Sequence, residues 1–290
     1  MKESPSHVRL GKRQAAEFKQ LVEDVRARVA LAWAFQSRQA ALGLPLFTAQ
    51  SLEIVKSQPG LVSRLRPRIQ RLFPRWTHLR DRYRWDRRWL NPDFNPFWKT
   101  DEPQKEIVDA VESGWFPKNQ RVIDLGCGSG EICRWLAGEG FAVLGLDYSP
   151  AAIASARRLS EGHANTLTFK LADLCRANLQ LEPAFSLIDR GCFHRIVRNL
   201  RPLFAQNIAR ATMPGGHFLL LAGTFQDGRV VNHRAVPSEQ RLREHVEEIF
   251  GDHFIIKRAE AAFLNARAGQ ESMPALVFWM VRKPKSSTPG

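Results

Sequence analysis

Cysteine is scarce. The 290 residues contain four, Cys127, Cys133, Cys175 and Cys192, with no C-x-x-C pair among them. That excludes a disulfide framework and a paired-thiol zinc site, leaves no metal to be expected, and makes a reducing cytoplasm the default compartment. Long apolar runs are missing too. The longest near the N-terminus, Val29–Phe35, is far too short to span a bilayer. The opening stretch MKESPSHVRLGKRQ has no apolar core of the kind a secretory signal carries. Internal repeats and low-complexity segments are absent. Acids are in short supply, 29 Asp+Glu against 43 Lys+Arg, for a net charge of +14. The deficit is local: residues 1–99 hold 20 basic and 8 acidic side chains, whereas the remainder holds 23 and 21. The last two-thirds is therefore nearly neutral, as suits a domain that handles small molecules, and the basicity belongs to the first third.

What is present divides the chain into a basic helical extension over 1–82, a main domain over 83–283 and a frayed tail over 284–290. In the extension, Phe18, Leu21, Val22, Val25, Val29 and Trp33 recur at three- and four-residue steps, which predicts an amphipathic helix over 12–42. Gly43 and Pro45 end it, and Thr48 is placed to cap a short helix that Pro59–Gly60 breaks. Residues 64–88 carry ten arginines against Asp81 and Asp86, interleaved with Leu65, Ile69, Leu72, Phe73, Trp76, Leu79, Tyr83 and Trp85. Two readings follow. This is a face for RNA phosphates or an anionic membrane surface, which would place the protein at the inner membrane surface, or it is a solvated helical face whose aromatic side packs on the main domain.

The main domain is organised around Arg121–Ser149. An apolar run, Val122–Leu125, predicts a buried parallel strand. Gly126, Gly128 and Gly130 follow, then a helix through Ile132, Trp135, Leu136 and Ala137. A second apolar strand, Ala142–Leu146, finishes on Asp147. Strand, Gly-rich turn, helix and strand with a terminal acid form the opening half of a nucleotide-binding α/β fold. The glycine spacing is G-x-G-x-G, not the G-x-G-x-x-G of dinucleotide sites, and Asp124 precedes the first glycine by two residues. A carboxylate there repels a pyrophosphate and suits a ligand with a cationic amino-acid end. Downstream, Ser149 and Pro150 start a helix over Ala151–Leu159, strands are predicted at Leu167–Leu171 and Phe185–Ile188, and a helix at Pro202–Ala211. Met213–Gly216 turns into a strand at His217–Ala222. Ser238 is placed to cap a helix reaching Phe250, and two strands, Phe254–Ala259 and Ala275–Arg282, close the pattern. Ahead of the first strand, a helix from about Pro103 to Ser113 has Asp101 as its expected cap.

The D-x-G-x-G-x-G segment over Asp124–Gly130 resembles motif I of the class I S-adenosyl-L-methionine (SAM)-dependent methyltransferases. Asp189–Arg190–Gly191–Cys192–Phe193–His194, with Trp85-x-x-x-Trp89, Phe97–Trp98 and Pro103–Gln104, resembles the thiopurine methyltransferase-like small-molecule group. The resemblance covers about residues 83–283 and is looser after Phe225. It implies an α/β, Rossmann-like seven-stranded sheet of order 3-2-1-4-5-7-6 with the last strand antiparallel, and SAM as cofactor. It also implies residue roles. Gly126, Cys127, Gly128 and Gly130 would hold the methionine and ribose part, with Asp124 bracing the loop. Asp147 would take the ribose diol and Tyr148 would lie beside the adenine. Asp173 and Leu174 would read the adenine edge, Asp189 would close the fourth strand at the same site, and Trp98 would cover the sulfonium or simply pack in the core. His194 is the candidate general base or, alternatively, a loop-ordering residue; Cys192 reads as a packed small side chain. No [DN]-P-P-[FYW] or Pro-Cys sequence stands at the fourth strand, which disfavours amino-adenine and cysteine-dependent cytosine methylation. A small-molecule acceptor is therefore expected, methylated at O, N or S. The alternatives are an RNA methyltransferase using the arginine-rich segment, a membrane- or partner-bound SAM-binding module without turnover, and an enzyme on a lipid-linked acceptor with the extension as surface anchor.

Overall fold

A computed structural model describes residues 74–96, 98–99, 102–162, 166–223, 239–264 and 272–284. The helices expected over 12–42 and 48–55, the arginines from 64 to 71, Asp101, Ser238 and the tail beyond 284 lie outside those residues.

The described chain begins with helix α1, Pro74–Trp89, and helix α2, Lys105–Glu112. Then β1 (Val122–Leu125), α3 (Glu131–Gly138), β2 (Val143–Asp147), α4 (Pro150–Leu159) and β3 (Leu167–Leu171) follow in alternation. The second half runs β4 (Ala184–Arg190), two short 3-10 turns, α5 (Arg201–Ala211), β5 (Thr212–Gly223), α6 (Glu239–Phe250), β6 (Phe254–Leu264) and β7 (Met273–Arg282). One seven-stranded sheet results, ordered β3-β2-β1-β4-β5-β7-β6. Only β7 runs antiparallel, to β5 on one side and β6 on the other.

The apolar runs become central strands because both faces of the sheet are covered. Alternate residues of one strand enter different cores. Phe218 and Leu220 pack with Phe204, Ile208, Val246 and Phe250 of α5 and α6, while Leu219 and Leu221 share the opposite core with Ile107 of α2, Leu136 of α3 and Ile153 of α4. Sheet geometry thereby brings the C-terminal ends of β1, β2 and β4 to one edge, where an open α/β sheet presents its crevice.

Local signals succeed where the chain itself satisfies them. Ser149 caps α4 as expected, its Oγ accepting from the Ala152 N–H at 3.1 Å, with Pro150 in the first turn. Other elements differ from expectation. α2 starts at Lys105, not near Pro103, and Gln104 takes the N-cap position without a side-chain capping bond; its amide is committed to Arg190 and Phe263 instead. Strand β5 begins at Thr212, so the expected turn Met213–Gly216 is a looped-out bulge inside the strand, between the Ala184–Thr212 and Ser186–His217 pairs. Strand β6 runs past Ala259 to Leu264 because Met273 pairs with Leu264, lengthening both partners.

The extension was expected to end at residue 82. Helix α1 instead runs unbroken through that position and packs on α4. His78, on the extension side of the boundary, bonds to Asp173 beyond β3.

Candidate functional site

The turn after β1 is fixed by backbone bonds: the N–H groups of Gly126 and Cys127 both donate to the Leu146 carbonyl, at 2.7 and 2.9 Å, and Gly130 N–H donates to the Cys127 carbonyl. Cys127 is buried beneath the turn, and Gly130 forms the N-cap of α3. Asp147, at the end of β2, ties two loops together. Its Oδ2 accepts from Gly128 N–H at 3.1 Å and its Oδ1 from Ser149 N–H at 2.9 Å. Asp124 lies deeper, 2% exposed, accepting from the Cys133 thiol at 3.1 Å.

Both carboxylates are electrostatically uncomfortable. Burial pushes Asp124 up to about 7, with further upward pressure from the charges of Glu131 and Asp147, and Arg190 opposes the rise. Burial also raises Asp147, against the pull of its backbone N–H donors. A cradle of this kind favours a ligand bearing positive charge and would be worsened by a pyrophosphate. These residues therefore fit a sulfonium nucleoside with a cationic amino-acid end.

Next along the edge, Tyr148 is largely buried, which raises its phenol, and its ring lies 5.7 Å from that of His78. Asp173 Oδ1 accepts from Cys175 N–H and meets His78 Nε2, each at 2.9 Å. Burial works to raise Asp173, but the bonds and charge of His78 and the Cys175 N–H outweigh it, so the carboxyl is held below its usual range. Leu174 is buried and its carbonyl accepts from Asn207 at 2.9 Å. His78, Asp173 and Cys175 bring three metal-ligating atoms within 4.8 Å of one another; the His78–Asp173 bond joins two of them, and burial with the charge of Asp173 raises the Cys175 thiol.

The structure thus gathers Gly126, Cys127, Gly128, Gly130, Asp124, Asp147, Tyr148, Asp173 and Leu174 along one edge. Two residues expected there have other work. Asp189 is fully buried, and both its oxygens are taken, by the N–H groups of Cys192 at 2.7 Å and Phe193 at 2.9 Å. These bonds hold the 3-10 turn Phe193–Arg195. His194 is buried as well, and its Nδ1 accepts from Gly223 N–H at 3.1 Å. Burial, with the charges of Arg195 and Arg201, lowers it to about 3, which makes it a weak general base at neutral pH. With a folded pKa below its unfolded one, this imidazole withdraws stability as pH falls from about 6.5 towards 3. We expect it to stay neutral from pH 8 to pH 5; histidine ¹⁵N shifts that moved to the imidazolium pattern in that range would contradict this.

Sequence reasoning missed what α1 contributes. Asp86 Oδ1 accepts from Ser149 Oγ at 2.7 Å and from Ala151 N–H at 2.9 Å, capping α4 from another helix. Asp86→Ala is expected to cost about 1–2 kcal/mol in urea unfolding; an unchanged midpoint would remove the cap from the account. The Trp89 ring lies against Gly128, where an added Cβ would fall 3.0 Å from it. Trp98 belongs to the same aromatic group, with ring centroids 5.7 Å from Trp85 and 6.1 Å from Phe94. Its carbonyl accepts from Arg190 Nη1 at 3.0 Å, while Arg190 Nε donates to Gln104 at 2.7 Å. The one available signal was compositional: Asp86 is one of two acids in an arginine run.

Comparison with known proteins agrees with this fold. A family model described as a methyltransferase domain matches residues 122–216. The 2-heptyl-1-hydroxyquinolin-4(1H)-one methyltransferase of Mycobacteroides abscessus is 32% identical over 131 residues, 43% of this chain and 55% of that protein. An uncharacterized methyltransferase of Schizosaccharomyces pombe is 32% identical over 92 residues, 32% of this chain and 62% of that one. These matches span only about half to three-fifths of the curated relatives' own length. Among solved structures, one described as "Conversion of a Disulfide Bond into a Thioacetal Group during Echinomycin Biosynthesis" superposes with a TM-score of 0.57 at 25% identity, over 66% of this chain and 87% of that one. A SAM-dependent methyltransferase from Anabaena variabilis gives 0.54 at 18% identity, over 70% and 95%. The fold is the Rossmann-like methyltransferase fold, six strands parallel and one antiparallel.

Proposed function

We propose that this protein is a SAM-dependent methyltransferase whose acceptor is a small, planar heteroaromatic molecule carrying an ionisable O–H, N–H or S–H group. The observation that carries the cofactor reading is Asp147, buried at the end of β2 and bonded to Gly128 of the turn after β1, where a carboxylate accepts from a ribose diol. Gly126 and Gly128 let backbone approach the same ligand, Tyr148 flanks the adenine, and Asp173 accepts from its exocyclic amine. SAM bound there would supply a methyl group already activated for displacement by its sulfonium. The chain's own residues then have to position the acceptor in line and keep water out.

The acceptor class follows from two features. Trp85, Trp89, Phe94 and Trp98 form an aromatic group beside the Gly-rich turn, a surface on which a flat ring stacks. Neither His194 nor Asp189 is placed as a base: His194 is held far below neutral, and Asp189 is fully buried against the N–H groups of Cys192 and Phe193. An acceptor that gives up its own proton near neutral pH needs no such base. Similarity to the Mycobacteroides abscessus enzyme, whose name gives a hydroxyquinolinone as substrate, supports the same class.

The test is transfer of labelled methyl from SAM to a panel of hydroxylated and thiolated heteroaromatics, set against aliphatic amines, alcohols and unmodified RNA. Label entering the heteroaromatics alone is expected. Label entering RNA, or no transfer to any acceptor despite cofactor binding, would defeat the proposal.

A further inference from the structure

Helix α1 has two faces with different chemistry. One is committed inward through His78, Asp86 and Trp89. On the other, Leu79 and Tyr83 are 42% and 59% exposed, and Leu90, just past the helix end, is 63% exposed. Steps of four and seven residues put these three on one stripe. Beside them Arg84, Arg87 and Arg88 are exposed, and Arg88 lies 4.8 Å over the Trp85 ring. Neither acid of the helix neutralises this face in full. Asp81 pairs with Arg80 at 3.6 Å and only at 4.0 Å with Arg84, and Asp86 is turned in to Ser149 and Ala151.

We propose that this outer face of α1 docks on an anionic lipid surface, a role separate from the catalytic reading and independent of it. A face that needs only solvation has no use for three large apolar side chains aligned among arginines. A nucleic-acid backbone would engage the arginines, and Tyr83 could stack, but Leu79 and Leu90 would stay in water. In the headgroup layer every member of the face is used. Guanidinium groups pair with lipid phosphates, Tyr83 sits with its hydroxyl in the wet zone, and the two leucines reach the acyl boundary. The charge of the first third of the chain, 20 basic against 8 acidic side chains, has the sign this requires.

Flotation of the full chain with vesicles of phosphatidylcholine, with and without phosphatidylglycerol, tests the proposal. Binding is expected only where phosphatidylglycerol is present and should fall at high salt. The paired substitutions Leu79→Ser with Tyr83→Ser, and Arg84→Glu with Arg87→Glu, should each lower the partition coefficient about tenfold or more. Calorimetric binding of S-adenosylhomocysteine should be unaltered by either pair. Three results would overturn the assignment: no flotation of the wild-type chain, flotation of both variants at the wild-type level, or loss of binding to single-stranded RNA with vesicle binding intact.

Discussion

Replacing Asp147 with alanine should weaken binding of S-adenosylhomocysteine by roughly a hundredfold or more. The carboxylate would make two charge-assisted bonds to the ribose diol, each worth about 1.5–3 kcal/mol. Because the site is buried, water compensates poorly for their loss. The substitution also strands the Gly128 N–H, which now donates to Asp147 Oδ2 at 3.1 Å, so the turn that should receive the methionine end loosens as well. Asp147→Asn keeps the shape and one acceptor and should fall between wild type and alanine. Titration calorimetry reads all three proteins. An alanine variant within about threefold of wild type would mean that the end of β2 does not hold the sugar.

Gly126→Ala should be strongly damaging, costing about 2–4 kcal/mol. Two penalties add. Gly126 sits at φ +75°, a left-handed conformation that costs an L-residue about 1–2 kcal/mol. Its new Cβ would also lie 2.6 Å from Cys192 Cβ and 2.8 Å from its Sγ, an overlap that forces a shift worth about 1–3 kcal/mol. The contact joins the turn after β1 to the turn after β4, so the damage reaches both. Chemical unfolding of Gly126→Ala, Cys192→Gly and the double variant separates the terms. Removing the Cys192 side chain should recover the steric part and leave the backbone part, giving a coupling of opposite sign to the Gly126→Ala loss. Simple additivity would show that the two side chains do not meet.

The strands and helices from β1 to α5 were legible because each is specified locally: an apolar run for a strand covered on both faces, and Ser149–Pro150 at the start of α4. The grouping of Asp124, the Gly-rich turn and Asp147, on which the proposed cofactor site rests, was legible for the same reason, since the register of β1 against β2 sets it. What escaped are interactions that only tertiary structure creates. Asp86 looks like a stray acid among arginines, yet it caps a helix that starts more than sixty residues later. His78 appeared to belong to a separate extension, yet it meets Asp173 across 95 residues. The strand-end position of Asp189 suggested a ligand contact, and that of His194 a base. Neither position reveals that backbone N–H groups of the following turn take Asp189's oxygens, nor that Gly223 takes His194's Nδ1. The long β6–β7 pair has a similar origin, because its length depends on the partner strand as much as on its own pattern.

Helix α1 also explains why the basic segment resisted a single reading. One side of it supplies a cap, a ring against the Gly-rich turn and a partner for Asp173, while the other carries exposed arginines and leucines. The expectation of a packed face describes the first side, and the proposal of lipid docking concerns the second. No described helix is long and apolar enough to cross a membrane.

The central claim is that the crevice at the ends of β1 and β2 cradles the nucleoside of SAM. A crystal structure of the protein with S-adenosylhomocysteine tests it most directly. The account predicts the ribose hydroxyls within hydrogen-bond distance of Asp147 and the adenine between Tyr148 and Asp173, with the His78–Asp173 bond exchanged or shared. A nucleoside bound elsewhere, or no nucleoside in this crevice with the ligand at saturating concentration, would contradict it.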